Sequence, residues 1–348
     1  MGESAGQQFV KFDAIRLAKY QKAGYRIVGE KKHTGVEICR WTKSRMVGER
    51  NCYKATYGIK SHRCVQMTPT LDFCNFSCSW CWRSFGKDRF KSENKWDSPQ
   101  EIVDASIAAQ RQLLYGFGGN KKTSKQVLKE ALEPSHFAIS LDGEPTLYPN
   151  IVELIKEIKD RGMTAFLVTN GTTPHKLKEL LDKNIVPTNL YISVYGPDEE
   201  TFYKGTHSFV KGVWLKVMES LKLFPEFNKM GCRTVFRITC VKGLTMQKPE
   251  AYAKLIEMSQ PMFVELKGYA WLGESKQRLK IDAVPQMQEL EEFGQDIANR
   301  TGYIIKARDH TSRVIVAVRD EAAWKWNTNQ IKKQDKTFAE VSANLPNR

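Results

Sequence analysis

The chain has 348 residues, with 54 Lys+Arg against 39 Asp+Glu for a formal net charge of +15, and it is 41% hydrophobic and 11% aromatic. That composition can bury a sizeable core and excludes a wholly disordered chain, while the length fits one large barrel or two smaller domains. No stretch approaches the roughly 18 apolar residues of a membrane span, and the N-terminus lacks an apolar signal region. A cytoplasmic protein without membrane association is therefore expected, in which the eight cysteines serve as ligands rather than disulfides.

Residues 1–64 hold 14 basic and 5 acidic side chains, nine of the fifteen net charges. They are expected to form a basic N-terminal extension. Residues 1–30, with weak helical periodicity at Phe9, Phe12, Ile15 and Ala18, look like a mobile lead-in. A lobe so charged attracts polyanions, nucleic acid above all, through counterion release; a merely solvated face is the plain alternative. From residue 65 onward, apolar β-rich runs alternate with amphipathic helical patterns. The sequence predicts strands at 65–73, 136–141, 164–170, 189–195, 233–241 and 263–269, with one helical segment or more between successive runs. Strands separated by helices need parallel crossovers, so the fold class is α/β. Six such units over 65–320 suggest an incomplete (βα)6 TIM-like barrel with ligands at the carboxyl ends of its strands. The segment 115–126 is expected as a flexible basic loop, a strand pair lies near 304–319, and 321–348 forms a tail, polar and frayed beyond Asn327.

Directly after the first barrel strand come Cys74, Cys78 and Cys81, spaced C-x3-C-x2-C. Three thiolates at that spacing can hold three irons of a cubane within one loop, leaving a fourth iron open to a small molecule. A zinc knuckle or coincidental core cysteines are the alternatives. With Trp80 before the third cysteine, the motif resembles the radical S-adenosylmethionine (SAM) superfamily, whose members cleave SAM reductively to a 5′-deoxyadenosyl radical. The resemblance extends to Asp142-Gly143-Glu144-Pro145, similar to the superfamily's Gly-Glu-Pro segment. It implies SAM contacts from Gly143 and Glu144, from Asn170 in the turn after the third strand, and from Ser193 on the fourth.

Cys39, Cys52 and Cys64 are too widely spaced for one zinc loop and suit three turns converging on a second cluster. Buried structural cysteines, or a zinc site completed by His33 or His62, are the alternatives. The run from Cys52 to Cys64, followed by the radical SAM triplet, resembles the family of tRNA 4-demethylwyosine synthases, in its short archaeal form without a flavodoxin domain. That resemblance implies a lyase that builds the tricyclic base of wyosine and wybutosine biosynthesis from N1-methylguanosine 37 of tRNA(Phe) and pyruvate. It implies two 4Fe–4S clusters, one on Cys74, Cys78 and Cys81 and one on Cys39, Cys52 and Cys64, with SAM as cofactor. Lys54 matches the lysine that takes pyruvate as a Schiff base, its amine kept neutral by cationic neighbours such as Arg50 and Arg63. A monomer served by an external ferredoxin- or flavodoxin-type donor is expected. Lys121, Lys122, Lys125, Arg308 and Arg313 are candidate phosphate contacts, while Cys232, Cys240, Trp324 and Trp326 are read as packing residues. A methylthiotransferase-like tRNA-modifying enzyme and a non-catalytic iron–sulfur RNA-binding module are the alternative functions.

Overall fold

The computed structural model describes residues 14–83, 85, 96–208 and 210–343. The ten strands β1 (Arg26–Val28), β2 (Thr34–Glu37), β3 (Cys64–Thr68), β4 (His136–Ile139), β5 (Thr164–Thr169), β6 (Asn189–Val194), β7 (Arg233–Cys240), β8 (Phe263–Gly268), β9 (Ile304–Asp309) and β10 (Val314–Val318) make one sheet. Its order is β1-β2-β3-β4-β5-β6-β7-β8-β10-β9. From β3 to β8 every neighbouring pair is parallel. The flanking pairs on both sides are antiparallel. The six parallel strands are those expected from the sequence. β1 and β2 are not, being three and four residues long, too short to display an alternating pattern.

Two helices precede β3, α1 (Ala14–Lys22) and α2 (Arg40–Met46). The lead-in is thus ordered from Ala14, whereas residues 1–13, with Phe9 and Phe12, lie outside the described residues. The crossovers carry α3 (Pro99–Leu114), α4 (Lys125–Ala131), α5 (Ile151–Asp160), α6 (Pro174–Asp182), α7 (Glu199–Thr206), α8 (Val213–Leu221), α9 (Phe224–Lys229) and α10 (Pro249–Ser259). Then come α11 (Met287–Thr301), ahead of β9, and α12 (Glu321–Ala343). Local chemistry sets the boundaries: α3 starts at a capping box, Ser98 with Glu101, and has Pro99 in its first turn. The segment 115–126 is not a flexible loop but a 3-10 turn, Tyr115–Gly119, running into α4, which Ser124 caps through its hydroxyl.

The strand period of two divides the sheet into unlike faces. Val65, Ile139, Leu167, Ile192, Phe236 and Leu266 join the helices in the larger core. Cys232 and Cys240 belong to it and are packing residues. The other face curls round Tyr57, Cys64, Ala138, Phe166, Tyr191, Val235, Phe263, Val314 and Val316, a second cluster fed by seven strands and by the 3-10 turn Tyr53–Tyr57.

Beyond Asn327 the chain continues in α12 as far as Ala343, and residues 344–348 lie outside the described residues. Trp324, Asn327, Ile331, Gln334 and Phe338 fall at helical spacing on one side of α12. Trp324 and Trp326 pack on the inner cluster. Asn327 accepts from Arg233 Nε at 2.6 Å and donates to the Thr56 carbonyl at 3.0 Å, while Gln334 donates to the Gly58 carbonyl at 2.7 Å. These bonds tie α12 to the segment bearing Lys54. Asn327→Ala strands a buried guanidinium nitrogen and a carbonyl, so it should cost about 1–3 kcal/mol. Urea unfolding should show a lower midpoint at an unchanged slope; an unaltered midpoint would mean that α12 is not fastened there.

Candidate active site at the carboxyl ends of the strands

The loop after β3 folds back over the strand ends and is pinned on both sides. Ser77 N donates to the Thr206 carbonyl at 2.8 Å and Ser79 N to the Gly205 carbonyl at 2.9 Å. Asn75 meets the turn after β5 twice, donating to Thr172 Oγ1 at 2.6 Å and accepting from Asn170 Nδ2 at 2.7 Å. The Arg278 guanidinium donates to the carbonyls of Ser79 and Cys81. Trp80 is buried beside Tyr195, ring centroids 5.3 Å apart, with Gly205 against its edge. So held, Cys74, Cys78 and Cys81 line a cavity of about 280 Å³, and Trp80, Gly143, Glu144, Asn170 and Ser193 line it with them. The structure thus brings together every residue of the expected SAM set. Burial pushes the Cys81 thiol up.

Glu144 is buried, and its carboxylate braces two strand ends. Oε1 accepts from Thr146 Oγ1 and Thr169 Oγ1, both at 2.6 Å, and from Thr146 N at 3.1 Å, while Oε2 accepts from Asn170 N at 2.7 Å. Burial pushes this carboxyl above the usual range, against those donors. Room for a further donor is greatest at Oε2. Gly143 sits at φ +69°, where a Cβ would come within 1.9 Å of the Thr70 carbonyl oxygen and 2.6 Å of that of Phe73.

The second cysteine set lies below this cavity on the inner face. Cys39 caps α2 and Cys52 caps the turn Tyr53–Tyr57, each sulfur accepting from a backbone N–H two or three residues on. Cys64 opens β3, two residues and about 7 Å along the strand from Gln66 in the cavity wall. Cys39 raises the pKa of both Cys52 and Cys64 through space, and Cys52 that of Cys64, so the three sulfurs converge. Burial is the larger cause and pushes Cys52 up to about 12. All eight cysteines are reduced. Among the described residues no three His, Cys, Asp or Glu side chains close on a point as a single-ion site would need. His33 is occupied elsewhere, between the Pro69 carbonyl and Asp97 N, and His62 Nε2 meets Glu130.

Lys54 is buried beside Cys52 and Cys64, its Nζ 4.7 Å from the ring centre of Tyr191. Burial first, then the Arg237 guanidinium, lowers its pKa, against Glu265, Cys52 and Cys64. The expected cations do not do this. Arg50 stacks on Trp41 and pairs with Asp309, and Arg63 bonds the Glu133 carbonyl, because both point away from the inner face. Arg237 reaches Lys54 from β7, a residue the sequence reading passed over, as it did Glu265 and Lys267 on β8. Their signal was there: charged residues at alternate positions inside otherwise apolar strands belong on an enclosed face.

Residues 68–256 match the model of the radical SAM superfamily, and 258–319 that of a family described as wyosine base formation. The chain is 43% identical over 307 residues to an S-adenosyl-L-methionine-dependent tRNA 4-demethylwyosine synthase of Pyrococcus abyssi, covering 87% of this chain and 88% of that one. A protein of the same name from Methanocaldococcus jannaschii is 34% identical over 302 residues, 84% and 92% of the two chains. A solved structure described as TYW1 with a lysine–pyruvate adduct bound superposes with a TM-score of 0.78 at 30% identity, over 89% of this chain and 96% of that one.

The contact at Gly143 gives a test of the cavity's construction. Gly143→Ala must displace two backbone carbonyls of the cysteine loop at a left-handed φ, so its cost should exceed the roughly 1 kcal/mol of an ordinary glycine effect. A melting temperature lowered by several degrees is expected, against a smaller drop for Gly162→Ala, which shares the left-handed backbone at φ +73° but has nothing within 4 Å of the new atom. Equal shifts would mean that the close packing seen at Gly143 is not maintained.

Proposed function

Starting from a chain that belongs to the tRNA 4-demethylwyosine synthases of the radical SAM superfamily, we propose that it converts N1-methylguanosine 37 of tRNA(Phe) and pyruvate to 4-demethylwyosine, as a cytoplasmic lyase. The observation that carries this reading is a cavity lined by three cysteines at the strand ends, with a buried lysine beside a second cysteine set and Arg237 reaching both the lysine and the cavity wall. The donor sets suit iron–sulfur clusters: three reduced thiols each, held by hydrogen-bonded turns. Cys74, Cys78 and Cys81 would hold the cluster that binds SAM, and Cys39, Cys52 and Cys64 a second one. SAM would be held by Gly143, Glu144, Asn170 and Ser193, with Trp80 as the wall behind. Loaded, the upper site supplies a carbon radical able to take hydrogen from the N1-methyl group, whose C–H bonds are beyond acid–base chemistry.

The chain's own residues prepare the other partner. Lys54 Nζ makes no hydrogen bond among the described residues, so its lone pair is open to a carbonyl carbon. Formation of the C=N bond sends the carbonyl oxygen away as water with both amine protons. The inner cluster of aromatic and valine side chains closes the chamber below and excludes bulk water. Two carbons of the keto acid enter the new ring and its carboxyl carbon leaves. Electrons come from an external donor of the ferredoxin or flavodoxin type.

A stacked anticodon loop must splay its base 37 to reach this chamber. A groove beside Cys39 suits the flanking strand: Arg40, Trp41, Lys43 and Arg50 line it with Phe117 and Thr311. The Arg40 and Arg50 guanidiniums lie 5.3 and 4.9 Å from the Trp41 ring centre. Basic groups interleaved with aromatics are the means by which proteins hold single-stranded RNA. The turn bearing Lys122 and the hairpin bearing Arg308 border it.

Anaerobic reconstitution should give about eight irons per chain, and about four after Cys39, Cys52 and Cys64 are all changed to alanine. Dithionite-driven turnover of methylated tRNA(Phe) with SAM should give 4-demethylwyosine only when pyruvate is present, read by nucleoside mass spectrometry. Product that forms equally without pyruvate ends this reading. At the groove, Arg40→Gln should weaken tRNA binding and reduce the slope of log affinity against log salt by roughly one unit or less, as filter binding would record. An unchanged slope would remove Arg40 from the RNA contacts.

A further inference from the structure

On the inner face beside Lys54, the Arg237 guanidinium and the Lys267 amine face Glu265, which is wholly buried, with Asp309 near Lys267. Glu265 is already engaged: Oε1 accepts from Tyr53 at 3.4 Å and stands 3.5 Å from Arg237 Nε, and Oε2 accepts from Tyr57 at 3.3 Å. That contact orients the guanidinium by its inner edge only. Its two terminal nitrogens have no hydrogen-bond partner among the described residues, and Arg237 lines the cavity wall with Thr239 and Lys267. A second unmet group sits opposite. The Tyr191 hydroxyl is buried without a hydrogen-bond partner, on the ring that Lys54 Nζ overlies. A partly buried guanidinium with unpaired N–H groups and a buried hydroxyl without a partner both cost stability. A guanidinium offering two parallel N–H groups fits one ligand chemistry above others, a planar carboxylate.

We propose that Arg237, supported by Lys267 and the Tyr191 hydroxyl, forms a subsite for the carboxylate of a short 2-oxo acid whose carbonyl carbon meets Lys54. The proposal rests on the reading of Lys54 as the imine-forming amine. Arg237 is then a substrate-binding residue and Glu265 a positioning residue that aims it. Selection for a carboxylate follows, because a carbonyl compound without one leaves Arg237 unpaired.

The test compares two carbonyl probes by borohydride trapping on the full, anaerobically reconstituted chain without SAM or RNA, the adduct being read by peptide mass spectrometry. Pyruvate carries the carboxylate and acetone does not. For Arg237→Gln, the pyruvate concentration for half-maximal trapping at Lys54 should rise roughly ten- to a hundredfold, with acetone trapping falling far less, by the rise in the Lys54 pKa alone. Tyr191→Phe should shift the pyruvate value by roughly twofold to tenfold in the same direction. Arg237→Lys, which keeps the charge but not the fork, should lie between wild type and Arg237→Gln, and it serves as the test if the glutamine variant does not fold. Equal losses with both probes would overturn the subsite, since Arg237 would then act on the lysine or the fold. So would pyruvate trapping as in wild type. Wild-type protein that traps neither probe at Lys54 sinks the lysine assignment itself, an outcome seen before any variant is made.

Discussion

A parallel strand shows its side chains alternately to two faces, and in this chain the two faces carry different tasks. One alternate set from β3 to β8 is aliphatic and aromatic and serves only to seat the helices. The other begins apolar and becomes polar toward the carboxyl ends: Cys64 then Gln66, Phe166 then Val168 and Asn170, Tyr191 then Ser193, Val235 then Arg237 and Thr239, Phe263 then Glu265 and Lys267. Shifting any one of these strands by a single residue would exchange the two sets and empty the site of its chemistry. The register that packs the helices is therefore also the register that assembles the site.

Much of this was legible because the parallel strands are long enough to show both periods. All six, and α3, α5, α6, α8 and α10 of the helices between them, fall where apolar runs and amphipathic patterns put them, and Gly143, Glu144, Asn170 and Ser193 line one cavity with Cys74, Cys78 and Cys81. What escaped notice is of two kinds. Short antiparallel additions such as β1 and β2 carry too few residues to show a pattern, and their place is decided by the edge of β3. The polar α12 was mistaken for a frayed end because its contacts are made by Asn327 and Gln334 as much as by Trp324 and Phe338. A scale that counts only apolar residues sees no face there.

The environment of Lys54 departs from the sequence expectation for another reason. Arg50 and Arg63 are its neighbours in sequence, but a 3-10 turn and a strand start separate them in space. Lys54 turns inward onto Tyr191, while Arg50 lies out at Asp309. The cation that acts on it lies 183 positions along the chain, on β7. Only topology brings β7, β8 and the turn Tyr53–Tyr57 together, and no spacing rule over a linear sequence reports such a meeting.

The turn Tyr53–Tyr57 is what makes one chamber of two separate loops. Tyr57 packs edge-on against Tyr191 and Phe263, centroids 5.8 and 5.1 Å away, so this turn is fixed by the inner cluster rather than by its own short hydrogen-bonded length. Its first residue follows Cys52, its second is Lys54, and its exit is held by α12 through Thr56 and Gly58. The amine proposed to meet a small carbonyl compound is thus not on a mobile lobe, however basic. Here the positively charged segment proposed to contact RNA on its outer side is clamped on its inner side by aromatic packing. The same dozen residues can thus present Arg50 to solvent and Lys54 to an enclosed chamber, each in the dielectric its chemistry requires.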